Sequence, residues 1–163
     1  MARRRTGEII RPRTGDEARP AQRRRRATGS TATFVAIDFE AATKAPDSAC
    51  AVALVRVEDD RLVDQVVRLI RPSSPRFVFT YLHGISWKHV ADQPEFGAVW
   101  GDLAPLLEGA DFLVAHNAPF DRNVMGACCR AAGMNPPKQP WECTVQWARR
   151  TWNLRRASLP TVC

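Results

Sequence analysis

Phe34-Val35-Ala36-Ile37-Asp38-Phe39-Glu40, followed by Ala41-Ala42, is an apolar run broken by two acids at alternate positions. A β-strand sends successive side chains to opposite faces. The run therefore predicts a central strand over Thr33–Glu40, with Asp38 and Glu40 on one face and Ile37 and Phe39 on the other. Two carboxylates side by side on a buried strand repel each other and lose hydration, at a cost of several kcal/mol unless a cation compensates. A divalent metal is the usual compensation. About eighty residues later a third carboxylate, Asp121, appears in His116-Asn117-Ala118-Pro119-Phe120-Asp121, where the pattern turns from strand to helix.

Outward from this strand, Ala49–Val57 reads as a second strand and Leu62–Ile70 as a third, joined by an acidic hairpin turn at Glu58-Asp59-Asp60. Arg71-Pro72-Ser73-Ser74-Pro75 breaks the pattern into an irregular connection. Phe96, Val99, Trp100, Leu103, Leu106 and Leu107 recur at helical spacing, which predicts a helix over Pro94–Glu108 stopped by Gly109. Phe112–Ala115 is a short buried strand. Pro119 opens a helix with Phe120, Val124, Ala127, Cys128 and Ala131 on its apolar face and Gly133 as its stop. Trp141–Thr144 and Val145–Trp152 predict a last strand and helix, and Trp100, Trp141 and Trp147 are expected in the core. A hairpin followed by alternating helices and strands gives an α/β domain with a mixed sheet. Ser158 would cap a further helix that has barely one turn by Cys163, so the sequence reads as cut off inside an element.

The net charge of +7 is not spread evenly over the 163 residues. Residues 1–30 hold ten arginines against Glu8, Asp16 and Glu17, whereas the remainder holds fourteen residues of each sign. The chain is thus expected to divide into a disordered Arg-rich tail at 1–30 and a neutral folded domain at 31–163. The tail could lend salt-sensitive affinity for phosphate backbones or be a solvated extension without a role. No apolar run has signal-peptide or membrane-span length. Five cysteines without a C-x-x-C pair fit a reduced cytoplasm, as buried small residues rather than a zinc site.

Asp38, Glu40 and Asp121 offer oxygen donors only, which suit Mg²⁺ or Mn²⁺ rather than zinc. Asp121 falls in the first turn of its helix, where the dipole favours an anion. Ligands of an open sheet gather beyond the carboxyl ends of its strands, where Glu40 and the segment after Ala115 both lie. Two such ions could activate a water and stabilise the leaving oxygen of a phosphodiester.

Val35-Ala36-Ile37-Asp38-Phe39-Glu40, Leu82-His83-Gly84-Ile85, Val114-Ala115-His116-Asn117-Ala118-Pro119-Phe120-Asp121 and Cys143-Thr144-Val145, in this order, resemble the DEDD-type (DEDDh) 3′–5′ exonucleases. That family includes the proofreading epsilon subunit of bacterial DNA polymerase III and its stand-alone relatives. The resemblance covers about residues 33–163 and implies a ribonuclease H-like mixed sheet flanked by helices. It implies that Asp38, Glu40 and Asp121 are catalytic and hold a pair of Mg²⁺ or Mn²⁺ ions, Asp38 bridging both. It further implies that His83 contacts the terminal nucleotide and that Phe39 and Phe120 border its pocket. Single-stranded DNA or RNA 3′ ends, and a DNA polymerase subunit, are the implied partners. His116 does not match the family's base, and a structural role is expected for it.

The resemblance departs at its third motif, which in the family supplies a general-base His and a fourth metal-binding Asp beyond the segment matching Ser158–Cys163. None of His83, His89 and His116 occupies that position. The domain is accordingly expected to lack its C-terminal helices and to be weak or inactive as this chain. A catalytically inactive module that grips nucleic-acid ends or docks on a polymerase is the alternative. A general α/β phosphoesterase is a further one, against which the wording around the carboxylates argues.

Overall fold

The computed structural model describes residues 32–155 and 157–159. The Arg-rich segment 1–30 lies outside them, as does the helix expected over 158–163 beyond its first two residues. Five strands, β1 (Thr33–Ala41), β2 (Ala49–Glu58), β3 (Arg61–Leu69), β4 (Phe112–Ala115) and β5 (Trp141–Cys143), form one sheet in the order β3-β2-β1-β4-β5. β1, β2 and β3 pair antiparallel, whereas β4 and β5 run parallel to β1. The sheet is mixed, with helices flanking it, as the sequence predicts.

The hairpin between β2 and β3 turns on Asp59 and Asp60, both at positive φ (48° and 60°). Aspartate tolerates that left-handed conformation better than most residues, and the primed turn it makes suits the twist of the strands. The irregular connection after β3 contains two one-turn helices, α1 (Thr80–His83) and α2 (Trp87–Val90). The helix expected over Pro94–Glu108 is shorter: α3 spans Phe96–Leu103 and tightens into a 3-10 turn at Ala104–Leu107. Pro105 has no N–H to continue the α-helical ladder, which accounts for the change. α4 (Ala118–Ala131) and α5 (Thr144–Trp152) each begin one residue before their predicted starts.

The core lies on one face of the sheet. Val35, Ile37 and Phe39 of β1 and Val52 and Leu54 of β2 pack against Phe96, Val99, Trp100 and Leu103 of α3 and Val124, Met125 and Cys128 of α4. On the opposite face the register aligns Asp38 with Ala53 and Ala53 with Val67, and Glu40 with Ala51 and Ala51 with Leu69. That face is more open: Val67 and Leu62 are 57% and 58% exposed. At its β4 end Phe112 meets Trp147 of α5 edge-on, with ring centroids 6.2 Å apart. Trp147 nevertheless remains 40% exposed, so it is not the core residue the sequence suggested; its indole N–H donates to Glu142 at the surface. Trp100 is buried as expected. Cys50, Cys128, Cys129 and Cys143 are buried free thiols. Among the described residues no helix is long and apolar enough to cross a membrane.

Candidate active site

β1 outruns its parallel neighbour. The last β1–β4 partners are Ala36 and Val114, and β4 stops at Ala115. Three residues further along β1, the N–H of Phe39 donates not to a strand but to the carboxylate Oδ1 of Asp121, at 2.9 Å. The chain brings Asp121 there by a sharp junction. Asn117, at φ 71°, turns the end of β4 into α4, whose first turn contains Pro119 and Asp121. Asp121 is only 1% exposed.

The three carboxylates feel one another. Burial pushes the Asp121 carboxyl up to about 7; the Phe39 N–H opposes this, and the charges of Asp38 and Glu40 add to it. Burial also raises Glu40, with His83 opposing and Asp38 reinforcing the shift. Asp38 reaches solvent as a residue, yet desolvation of its carboxylate still raises it, against the lowering field of His116. Solvent screens Asp38 most and Asp121 least. A set of acids all held above their ordinary range has the character of a site that wants a cation.

The neighbouring histidines are already engaged. The Ile85 N–H donates to His83 Nδ1 at 3.0 Å, which places the ring proton on Nε2, and Nε2 lies 3.2 Å from the Ala41 carbonyl oxygen. His83 therefore holds the end of β1 through Nε2, with Nδ1 bonded within its own segment, and leaves only its ring carbons for any further contact. His116 Nδ1 lies 2.9 Å from Thr144 Oγ1, tying the start of α4 to the start of α5. His89 Nδ1 accepts the Ser86 N–H within its own one-turn helix.

Phe120 is 44% exposed beside Asp121, whereas the Phe39 ring is buried in the core, 6.5 Å from the Phe96 ring. The expectation that the Phe39 side chain borders a pocket on the carboxylate face is corrected by strand alternation: only its main chain is presented to Asp121. Two positions near the site fall among the family motifs, in Cys143-Thr144-Val145, without a role read from the sequence. Thr144 is one. Cys143 is the other: burial pushes its thiol up, but N–H groups of Gln146, Ala118, Asn117 and Val145 outweigh that and leave it below the ordinary thiol range. Its place at a strand-to-helix junction was the available signal.

Among the described residues, no group of three or more His, Cys, Asp or Glu side chains converges tightly enough to hold a metal ion as it stands. The fit to a divalent ion lies in donor chemistry. Asp38, Glu40 and Asp121 offer hard oxygen donors without sulfur or ring nitrogen, and their electrostatic strain is what a hard cation relieves.

Residues 35–163 match the sequence profile of the RNase T exonuclease family. Exodeoxyribonuclease 10 of Escherichia coli strain K12 is 35% identical over 105 residues, 62% of this chain and 40% of that protein. The DNA polymerase III subunit epsilon of Haemophilus influenzae is 35% identical over 97 residues, 57% of this chain and 36% of its own length. The chain thus matches less than half the length of these relatives. Among solved structures, exonuclease X in complex with 5′-overhanging duplex DNA superimposes with a TM-score of 0.60 at 30% identity, covering 77% of this chain and 68% of that one. The nuclease domain of 3′hExo, a DEDDh family member bound to rAMP, shares the fold at 15% identity, with a TM-score of 0.66 over 78% of this chain and 74% of that one.

Proposed function

This chain belongs to the RNase T exonuclease family, and on that premise we propose that its folded domain, residues 31–163, removes nucleotides from the 3′ end of a DNA or RNA strand by metal-dependent phosphodiester hydrolysis. The observation that carries this reading is the buried Asp121 carboxylate. It is held by the Phe39 N–H within the electrostatic reach of Asp38 and Glu40, at the carboxyl end of the central strand. Asp38, Glu40 and Asp121 would hold Mg²⁺ or Mn²⁺, which when bound supplies Lewis-acid activation of water and of the leaving oxygen. The chain's own contribution is positioning. Asp121 is locked by the end of β1 and by the first turn of α4, so its oxygen cannot swing away when charge builds nearby. His83 sets the end of β1 through the Ala41 carbonyl, and its ring edge with exposed Phe120 gives a terminal nucleotide an apolar surface.

The similarity of the profile to a polymerase subunit supports a polymerase as partner, and exonuclease X bound to duplex DNA supports DNA as a substrate. Among the described residues His83 is bonded through both ring nitrogens, His89 caps its own helix, and His116, whose field reaches Asp38, is held at Nδ1 by Thr144, an arrangement that favours positioning over proton transfer. Turnover by these residues alone is therefore expected to be slow, since a general base contributes roughly 10²–10⁴-fold.

The test is release of mononucleotide from a 3′-labelled single-stranded oligonucleotide, with Mn²⁺ or Mg²⁺ against chelator, for the chain and its Asp38→Ala variant. Metal-dependent release that disappears in the variant supports the reading. Folded protein that neither releases nucleotide nor binds the metal would refute it; metal and oligonucleotide binding without release would favour the non-catalytic module.

A further inference from the structure

Where β1 runs out, three residues beyond Glu40, the structure holds a cavity of about 560 Å³ whose lining includes Thr43, Lys44, Asp47, Ser73, Ser74 and Arg76. We propose that this cavity carries the sugar–phosphate backbone of the substrate strand as it leaves the carboxylates, with Lys44 and Arg76 as its phosphate-binding pair. The proposal rests on the exonuclease reading above and adds the path of the strand to it.

Position comes first. The cavity is built from two segments, 43–48 and 73–78, and both are anchored to the end of the strand that bears the acids. Val78 donates its N–H to the Ala42 carbonyl at 2.8 Å, and His83, on the same connection, reaches the Ala41 carbonyl one residue earlier. The wall begins at Thr43, three residues past Glu40, which places it at most about 10 Å of chain from the last acid of the strand.

Charge comes next. Among the described residues two arginines are ion-paired, Arg56 with Glu58 at 2.7 Å and Arg71 with Glu95 at 2.8 Å, and the other cations, the two of this cavity included, are not. Lys44 and Arg76 lie 32 positions apart in sequence and share one cavity. Asp47 is the single acid in the lining, and its field also falls on Cys128, raising that thiol. The lining thus carries a net positive charge of one on a domain that is neutral outside the tail.

The surroundings are preorganised. Ser48 Oγ lies 2.6 Å from the Ala45 carbonyl, accepts the Thr43 N–H at 3.0 Å, and its own N–H donates to the same carbonyl at 3.1 Å. On the other wall, Ser74 Oγ accepts the Arg76 N–H at 3.3 Å. The two cations thus rise from stiff turns beside the hydroxyl of Ser73, while the Thr43 hydroxyl braces its own turn by donating to Ser48 Oγ at 3.1 Å and accepting the Ala45 N–H at 3.1 Å. Cations with hydroxyl donors are the set that grips phosphates. No aromatic side chain lines the cavity, so it lacks the stacking surfaces that bind bases. Its chemistry suits a backbone of any sequence.

The test uses the full 163-residue chain and fluorescence anisotropy with an end-labelled oligothymidylate in chelator, titrated over a range of salt. Lys44→Ser/Arg76→Ser is compared with Arg61→Ser/Lys138→Ser, an equal loss of charge at the opposite end of the sheet. The first pair is expected to weaken binding about tenfold and to make the log–log salt dependence shallower by about 1.4, from two lost phosphate contacts. The second pair should move neither to that extent. Equal effects of the two pairs would overturn the proposal. So would displacement of the oligonucleotide from the wild-type chain by millimolar inorganic phosphate at matched ionic strength, which would make the occupant a free anion rather than a strand. Failure of the exonuclease reading shows separately, as folded protein that neither releases nucleotide nor binds the metal, and it would remove this proposal with it.

Discussion

The two faces of β1 are made by the same strand, yet they solve opposite problems. Val35, Ile37 and Phe39 point into a core closed by α3 and α4 and are at most 2% exposed. Ala36, Asp38 and Glu40 point to a face where neighbours such as Val67 and Leu62 remain more than half exposed. The first face gains free energy by excluding water. The second keeps acids near the surface at an electrostatic cost that its own residues do not relieve. Stability and chemistry are thus separated by a single residue step along one strand, and a substitution should report on one or the other.

Asp121 tests the separation most severely, because it is buried like a core residue but charged like a site residue. Its folded-state carboxyl sits at about 7, against an ordinary value of 3.8. The native state therefore binds the extra proton between those values, so this contribution to stability is complete below about pH 4 and is lost as pH rises through 7. Metal-free protein should be less stable at pH 8 than at pH 5, by up to about 2.7 kcal/mol from this group, because only the fall from pH 5 to the folded value of about 7 lies in that window. Asp121→Asn, which keeps an acceptor for the Phe39 N–H, should flatten that dependence in urea titrations at the two pH values while abolishing metal-dependent nucleotide release. An unchanged pH slope would mean that Asp121 is not the strained acid.

On the covered face, Leu54→Ala should cost about 3 kcal/mol, by lost burial and a cavity beneath α3, at every pH and with or without metal. A pH-dependent loss would show that the faces are coupled. On the acid face, a divalent ion at about a hundred times its dissociation constant should stabilise the wild-type chain by about 2.7 kcal/mol at pH 8. Thermal melts should show that gain in wild type and little of it in Asp121→Asn. The smallest effect is expected at Val67→Thr, within about 0.5 kcal/mol, because the side chain is already largely in water. A larger loss in denaturant titration would reveal that something covers this face in solution.

The strands, the acidic hairpin turn and most helix boundaries were legible in the sequence because each depends on a short-range period or a local backbone preference. Alternation alone put Asp38 and Glu40 on one face, and the Pro119–Asp121 wording put a third acid in the first turn of a helix. The exonuclease family was legible too, through the order and spacing of its motifs. Other features were settled only by tertiary structure. The capture of the Phe39 N–H by Asp121 depends on β1 outrunning β4, a matter of strand register across 82 positions. The reach of His83 Nε2 to the Ala41 carbonyl, the exposure of Trp147 and the sharing of one cavity by Lys44 and Arg76 likewise depend on segments distant in sequence. Local periodicity decides which way a side chain points. Which partner waits there is decided by the packing of elements that no local pattern connects.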